Sequence, residues 1–212
     1  MQNSMADIRR EYRGGELREA DLSPDPFVQF HQWFAEAAER EGTDVNAMTL
    51  ATVSAQGRPS ARIVLLKGVD SGFLFFSNYE SKKGEDLEGN PSAALVFWWR
   101  SLNRQVRIEG EVAKISPEES DIYFQSRPRG SRIGAIASPQ SHLLENRETL
   151  EERINQLSTE LQEEAISRPD YWGGYRLKPN LIEFWQGREN RLHDRLRYRL
   201  YGGEWVIERL AP

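Results

Sequence analysis

The sequence contains no cysteine. That excludes disulfides, thiolate metal sites, iron–sulfur clusters and cysteine nucleophiles. Histidine is scarce: His31, His142 and His193 are all there is, and none stands in HExxH or similar spacing, so no metal site is expected. No apolar run approaches the roughly 18 residues of a membrane-spanning helix. The N-terminal MQNSMADIRREYRGG also lacks the apolar core of a signal peptide, so the expected location is cytoplasmic. Positive charge is not in excess: 28 Lys and Arg against 33 Asp and Glu leave a net −5, a poor balance for a general nucleic-acid binder. Neither GxGxxG nor a P-loop pattern occurs, so phosphate binding of the Rossmann or P-loop kind is not signalled. Internal repeats and low-complexity segments are absent as well.

What is present is a chain of 212 residues with 38% hydrophobic side chains, enough to bury a core as one domain or a tight pair. Residues 1–24 carry Gly14-Gly15 and few apolar positions; on composition alone Arg9, Arg10 and Tyr12 read as part of a solvated tail. Ser23-Pro24-Asp25-Pro26 starts a helix over 26–41, with Phe27, Phe30, Phe34 and Ala38 at helical spacing, His31 on its face and Gly42 ending it. The period then changes to that of strands. Residues 47–54 and 60–68 flank a hairpin turn, and 73–78, 92–100 and 104–116 follow as strands. The near-continuous apolar run at 92–100, with Trp98 and Trp99, reads as core on both faces. Lys82 and Lys83 open a short helix after Ser81, a place where free backbone N–H groups already favour an anion.

A helix from Pro117 carries Tyr123 and runs toward Arg127, and a further helix covers 131–137. Tyr123, Arg127 and Ser131 together offer a guanidinium and two hydroxyls, which suits a phosphate; a polar helix-loop junction is the other reading. Residues 145–166 form a helix with Leu150, Ile154, Leu157 and Leu161 on one stripe, packing on the chain's own sheet rather than in a coiled coil. Closing strands are expected at 174–178, 181–187, 192–201 and 204–210, the last two joined at Gly202-Gly203. In an extended strand Arg191, His193 and Arg195 would share one face as a row of nitrogen donors about 13 Å long, at roughly 3.3 Å per residue. Such a face suits an anion or an aromatic ring, and an exposed polar strand edge is the plain alternative. Many strands with short turns and interspersed helices argue for a β-barrel with helical additions.

Taken together, RREY at 9–12, RIVLLK at 62–67, YFQSRPRGS at 123–131, WGGYR at 172–176, EFWQG at 183–187, RLHDR at 191–195 and the terminal ERLAP resemble the pyridoxamine (pyridoxine) 5′-phosphate oxidase family across nearly the whole chain. The resemblance implies a mainly β fold with surrounding α-helices, the FMN-binding split β-barrel of Greek-key type. It implies a homodimer with FMN at the subunit interface, each site drawing on both chains. For FMN it assigns Arg62, Ile63, Val64, Leu65, Leu66 and Lys67, with Arg62 toward the phosphate end, the basic pair Lys82 and Lys83, and Gln105, Gln140, Ser141, Trp185 and Arg195. Phe76 and Ser77 match an aromatic-hydroxyl pair in which some members have Tyr. For substrate it assigns the 5′-phosphate to Lys67, Tyr123, Arg127 and Ser131, and the pyridine ring to Arg191 and His193, which are also the catalytic candidates. It turns Arg9, Arg10 and Tyr12 into substrate-binding residues of a mobile N-terminal segment, residues 1–24, that closes over the active site of a single oxidase domain, residues 25–212.

The implied reaction is oxidation of pyridoxamine or pyridoxine 5′-phosphate to pyridoxal 5′-phosphate, in vitamin B6 metabolism. Hydride leaves substrate C4′, O2 yields H2O2, and ammonia comes from the amine. No catalytic triad or metal is needed, because the flavin carries the redox chemistry. The rival readings are a split-barrel flavin oxidase of another aromatic substrate, as in phenazine biosynthesis, a non-catalytic flavin- or PLP-binding protein, and a nucleic-acid-binding barrel using Trp98 and Trp99.

Overall fold

The computed structural model describes residues 4–7, 11–12, 14–161 and 166–212. Nine strands and five α-helices carry the described chain. The strands are β1 (Ala47–Val53), β2 (Pro59–Leu65), β3 (Gly68–Val69), β4 (Phe73–Asn78), β5 (Ser92–Trp99), β6 (Arg104–Lys114), β7 (Trp172–Gln186), β8 (Asp194–Tyr201) and β9 (Glu204–Leu210). The helices are α1 (Pro26–Glu41), α2 (Lys82–Gly89), α3 (Pro117–Ser126), α4 (Arg129–Ala137) and α5 (Arg147–Glu160). Strands pair in the order β2-β1-β5-β6-β7-β4-β3, with β8 on β7 and β9 on β8. The chain divides into two compact units, one of Met1–Leu50, Ala94–Gly110 and Pro179–Pro212, the other of Ala51–Ala93 and Glu111–Lys178.

In the first unit, α1 begins where the Asp25 carboxylate accepts the Phe27 backbone N–H at 2.8 Å, with Pro26 at the first helical position. Gly42 closes it at φ +72°, a backbone setting glycine adopts without a Cβ penalty. The bounds are those expected, but the buried face is rotated. Phe30, Trp33 and Ala37 are buried, while Phe27 and Phe34 are half-covered and Ala38 is exposed. Positions 30, 33 and 37 share a helix face as well as the expected set does. The larger Trp33 ring decides between them, packing edge-on against Phe184 at 5.1 Å and lying under the Arg104 guanidinium at 4.3 Å. Trp98 corrects a second expectation. It is 44% exposed while Trp99 is 2% exposed, so this end of β5 alternates as a one-sided strand does. The β8–β9 hairpin turns at Gly202 and Gly203, both at positive φ, as the Gly-Gly pair predicts.

In the second unit, α3 starts with a capping box in which Ser116 and Glu119 satisfy each other's backbone N–H groups. Ile154, Leu157 and Leu161 of the α5 stripe pack against Phe124 of α3, Ile133 of α4, Ile166 and Trp172. The stripe thus covers helices as well as a strand end; the described helix is Arg147–Glu160, and residues 162–165 of the expected span lie outside the described residues. The two strands expected at 174–178 and 181–187 are one, β7. Its ladder with β4 ends at Leu177 and its ladder with β8 begins at Leu181. Pro179, which has no N–H to donate, falls in the gap between those ladders and so does not interrupt the strand.

Candidate functional site

A pocket of about 660 Å³ opens in the second unit. Strand β2 and the turn after it supply Ile63, Val64, Leu65 and Lys67; β4 supplies Phe76 and Ser77. The edge strand carries this lining because its alternation leaves Ile63 64% and Leu65 42% exposed. Lys83 enters from the first turn of α2, where Ser81 caps the helix. Its ammonium donates to Ser81 Oγ at 3.0 Å and Gln140 Oε1 at 2.9 Å, and Ser77 Oγ donates to the same Gln140 oxygen at 3.3 Å. No carboxylate is among these partners. Burial, reinforced by Arg62, therefore pulls the Lys83 pKa down to about 8. A cation in that condition is stabilised by an incoming anion.

The far wall is built by α3 and α4. Helix α3 ends at Ser126, so Arg127 sits in extended backbone rather than on the helix face it would share with Tyr123. Both side chains line the pocket nonetheless, with Ser131 from the first turn of α4. Tyr123 stacks on Phe76, centroids 3.7 Å apart, and the Arg127 guanidinium lies over the Trp172 ring at 4.6 Å. Arg127 Nη1 is buried and has no hydrogen-bond partner. A buried guanidinium nitrogen without an acceptor is costly, and burial lowers the Arg127 pKa. The residues present therefore fit a phosphorylated ligand: the orphaned donor awaits an acceptor, and Lys83, Tyr123 and Ser131 stand in the same lining.

Several expected residues lie elsewhere. Arg62 does not line the pocket; its guanidinium donates to Thr52 Oγ1 at 2.8 Å and Ser60 Oγ at 2.5 Å, next to the buried Asp86. Lys82 is paired with Asp86 and stays at the surface, so of the basic pair only Lys83 reaches the pocket. Leu66 is buried in the core and Ser141 is exposed, in the left-handed region at φ +74°. In sequence, Trp172 stands out only within the WGGYR motif; its place under Arg127 carries no local signal. Arg9 and Arg10 lie outside the described residues.

A second cluster belongs to the first unit. Tyr12 rests edge-on against Trp98, Trp185 and His193, at centroid separations of 6.5, 5.6 and 5.3 Å. The segment around it is anchored where the Leu17 N–H donates to Asp194 at 3.1 Å and where Arg209 holds the Leu17 carbonyl and Glu19. The expected row of Arg191, His193 and Arg195 on one strand is not formed. Glu189–Arg191 is a 3-10 turn with Asn190 and Arg191 at positive φ, and β8 begins only at Asp194. Two local bonds close that turn: Leu192 N–H to the Glu189 carbonyl at 3.1 Å, and Arg188 N–H to His193 Nδ1 at 3.0 Å. The second makes Nδ1 an acceptor, so the neutral ring carries its proton on Nε2. Burial, and secondarily Arg191, lowers the His193 pKa and favours that neutral form. His193 lies against Trp185 at 4.6 Å, and Arg191 is exposed. Arg195 is held by both oxygens of the buried Glu183, at 2.8 and 3.1 Å, and Gln105 is half-buried on β6. Arg188 pairs with Asp194 at 3.1 Å and Glu16 at 3.3 Å.

Among the described residues no group of three or more His, Asp or Glu is placed to hold a metal, and no helix is long and apolar enough to cross a membrane. Residues 34–160 match the family model described as pyridoxamine 5′-phosphate oxidase. Residues 172–212 match the model of the pyridoxine 5′-phosphate oxidase C-terminal dimerisation region. The pyridoxine/pyridoxamine 5′-phosphate oxidase of Cyanothece sp. (strain PCC 7425 / ATCC 29141) is 57% identical, with 99% of each chain covered. That of Pseudomonas fluorescens (strain Pf0-1) is 55% identical over the full length of both. Among solved structures, PhzG from Burkholderia lata 383 in complex with tetrahydrophenazine-1-carboxylic acid superposes with a TM-score of 0.88 at 30% identity, covering 94% of this chain and 99% of that one. A pyridoxamine 5′-phosphate oxidase-related, FMN-binding protein from Nostoc punctiforme shares the fold at a TM-score of 0.70, 18% identity, 90% of this chain and 100% of that one. The mainly antiparallel sheet with five helices is thus the split barrel that the sequence predicts, and the chain belongs to the pyridoxine/pyridoxamine 5′-phosphate oxidase family of oxidoreductases.

Proposed function

We propose that the protein oxidises pyridoxamine 5′-phosphate and pyridoxine 5′-phosphate to pyridoxal 5′-phosphate, with FMN as cofactor and O2 as acceptor. The observation that carries this reading is the buried, unpartnered Arg127 nitrogen in a pocket that also holds Lys83 without a carboxylate. Lys83, Ser77 and Gln140 would hold FMN, with the β2 lining along its length; Lys67, Tyr123, Arg127 and Ser131 would hold the substrate phosphate. Bound FMN supplies the hydride acceptor and the route of electrons to O2, giving H2O2. The protein's own task is binding and orientation. Charge-assisted hydrogen bonds at about 1.5–3 kcal/mol each fix the phosphate, and with it the position of the ring. Neutral His193 offers an Nε2–H donor and Arg191 an unshielded cation to the ring substituents.

In this reading the protein is a homodimer, and the pocket of one chain is completed by Gln105, Trp185, Arg191, His193 and Arg195 of its partner. The exposed Ile63 and Leu65 of the pocket lining and the dimerisation-region match support it. Residues 1–24 would close over the site, a reading that the Tyr12 contacts with Trp185 and His193 support.

The direct test is to add pyridoxamine 5′-phosphate in air to the purified yellow protein and follow H2O2 and the aldehyde. A flavoprotein that releases neither on this substrate, yet turns over a non-phosphorylated aromatic ring, would move the assignment to the phenazine-type chemistry of its structural neighbour. Arg191→Ala is expected to cut turnover by about ten- to a hundredfold, the worth of one charge-assisted bond, and His193→Ala by up to about tenfold, the worth of a neutral one. Both variants should keep their flavin; purification as colourless proteins would remove them from the substrate clamp. Lys83 sets a pH dependence. It is cationic below about 8 and neutral above, so FMN affinity should fall as pH rises through that value. Flavin titrations of Lys83→Met between pH 6.5 and 9.5 should lose that fall, leaving only the dependence of the phosphate itself.

A further inference from the structure

We infer that Trp172 is a positioning residue for the phosphate subsite: its ring holds the Arg127 guanidinium by its face, in place of a carboxylate partner, and so leaves that cation's hydrogen bonds and charge for the substrate. The inference deepens the proposed function and rests on Arg127 being a phosphate ligand. Two other arginines in this unit are held by acids, Arg168 by Asp121 at 2.6 Å and Arg176 by Asp70 at 2.7 Å. Arg127 instead has an indole at 4.6 Å, a phenyl ring of Phe124 at 5.8 Å, and an Nη1 with no acceptor. A carboxylate in that place would fix the side chain equally well. It would also occupy the donor fork and cancel the charge that an incoming dianion needs. An aromatic face attracts the cation through its quadrupole and takes up none of its N–H groups.

The ring is itself fixed. Arg168 donates to the Trp172 carbonyl at 2.7 Å, the Trp172 N–H donates to Pro169 at 3.0 Å, and Phe124 packs on the indole at 65° and 5.2 Å. The same indole orders the second phosphate candidate. Tyr123, Phe76 and Trp172 are near-parallel, with Phe76 5.6 Å from Trp172 at 15° and Tyr123 6.2 Å from it at 4°. Gly174, two residues on, makes room for Ile115 and for that stack: a Cβ there would meet Ile115 Cδ1 at 2.3 Å and the Phe76 ring at 2.8 Å. One anchored ring thus sets the direction of both a guanidinium and a phenol.

The test is a double-mutant cycle on the flavin-loaded enzyme with pyridoxamine 5′-phosphate. Trp172→Leu is expected to raise KM about tenfold, within the range of a desolvated cation–π contact, with the loss falling on KM rather than kcat. Trp172→Phe, which keeps a ring face, should recover most of it. In an Arg127→Met background Trp172→Leu should add little, because the group it positions is gone. Additive effects in the cycle, or a loss confined to kcat, would make Trp172 a packing residue and overturn the inference. Where Trp172→Leu fails to fold, trifluorinated tryptophan placed at 172 keeps the shape and weakens the quadrupole; a KM that does not respond to it overturns the inference equally. Calorimetry with inorganic phosphate reads the subsite apart from the chemistry. Should the wild type bind phosphate but not oxidise the B6 vitamer, the proposed function falls, and weaker phosphate binding by Trp172→Leu would still uphold the positioning role.

Discussion

Arg127→Met is expected to raise KM for pyridoxamine 5′-phosphate by about a hundredfold or more while leaving the protein as stable as before, or slightly more so. Removing one partner of a buried, hydrogen-bonded charge pair costs roughly 2–5 kcal/mol of binding, and each 1.4 kcal/mol is a factor of ten. The opposite sign for stability comes from the unliganded site. Arg127 Nη1 is buried without a partner, and that burial lowers the pKa of its guanidinium. Methionine replaces that cation with an unbranched apolar chain that still covers the Trp172 ring. Steady-state kinetics and a thermal melt on the same preparation check both halves. A variant that melts several degrees lower with KM unchanged would show that Arg127 holds the fold and not the substrate.

Gly84→Ala should be the most damaging of the small substitutions. Gly84 lies in the first turn of α2, and a Cβ there would meet the Tyr79 carbonyl oxygen at 1.9 Å and its carbon at 2.5 Å. Those are backbone atoms in the segment just after β4, so no side-chain rotation relieves the overlap; α2 must shift. Overpacking of this kind costs about 3 kcal/mol, and at roughly 2–4 °C per kcal/mol for a chain of this size the melting temperature should fall by about 6–12 °C. Because Lys83 is the preceding residue, its ammonium moves with the helix, and FMN affinity should drop as well. Gly130→Ala in α4 is the control. A Cβ there meets nothing within 4 Å, and alanine is the better helix former by about 0.5–1 kcal/mol. Equal melting temperatures for the two variants would contradict the close packing of α2 on Tyr79.

The amino-acid order by itself determined the features that act over a few residues. Asp25-Pro26 and Gly42 bound α1, Ser81 caps α2, Ser116 and Glu119 box the start of α3, and Gly202-Gly203 turns the last hairpin. Caps and tight turns are closed by bonds between near neighbours, so the chain carries their whole cause. The quoted motifs likewise identify the family. Part of the pocket lining lies in them, Ile63 to Leu65, Lys67, Tyr123, Arg127 and Ser131, while Phe76, Ser77, Lys83 and Gln140 came from what the resemblance implies.

Tertiary structure decided whatever depends on a partner distant in sequence. Which face of α1 is buried turns on Phe184 and Arg104 meeting Trp33. Strand period alone placed Arg191, His193 and Arg195 in a row; the Arg188 N–H bond to His193 Nδ1 and the positive φ at 190 and 191 bend the chain out of it. Lys82 and Lys83 are adjacent and chemically alike, yet Asp86 claims the first and leaves the second to the pocket. No property of tryptophan in sequence says that residue 172 will lie under residue 127. Periodicity gives the side a residue faces, whereas the atoms waiting there are supplied by the fold.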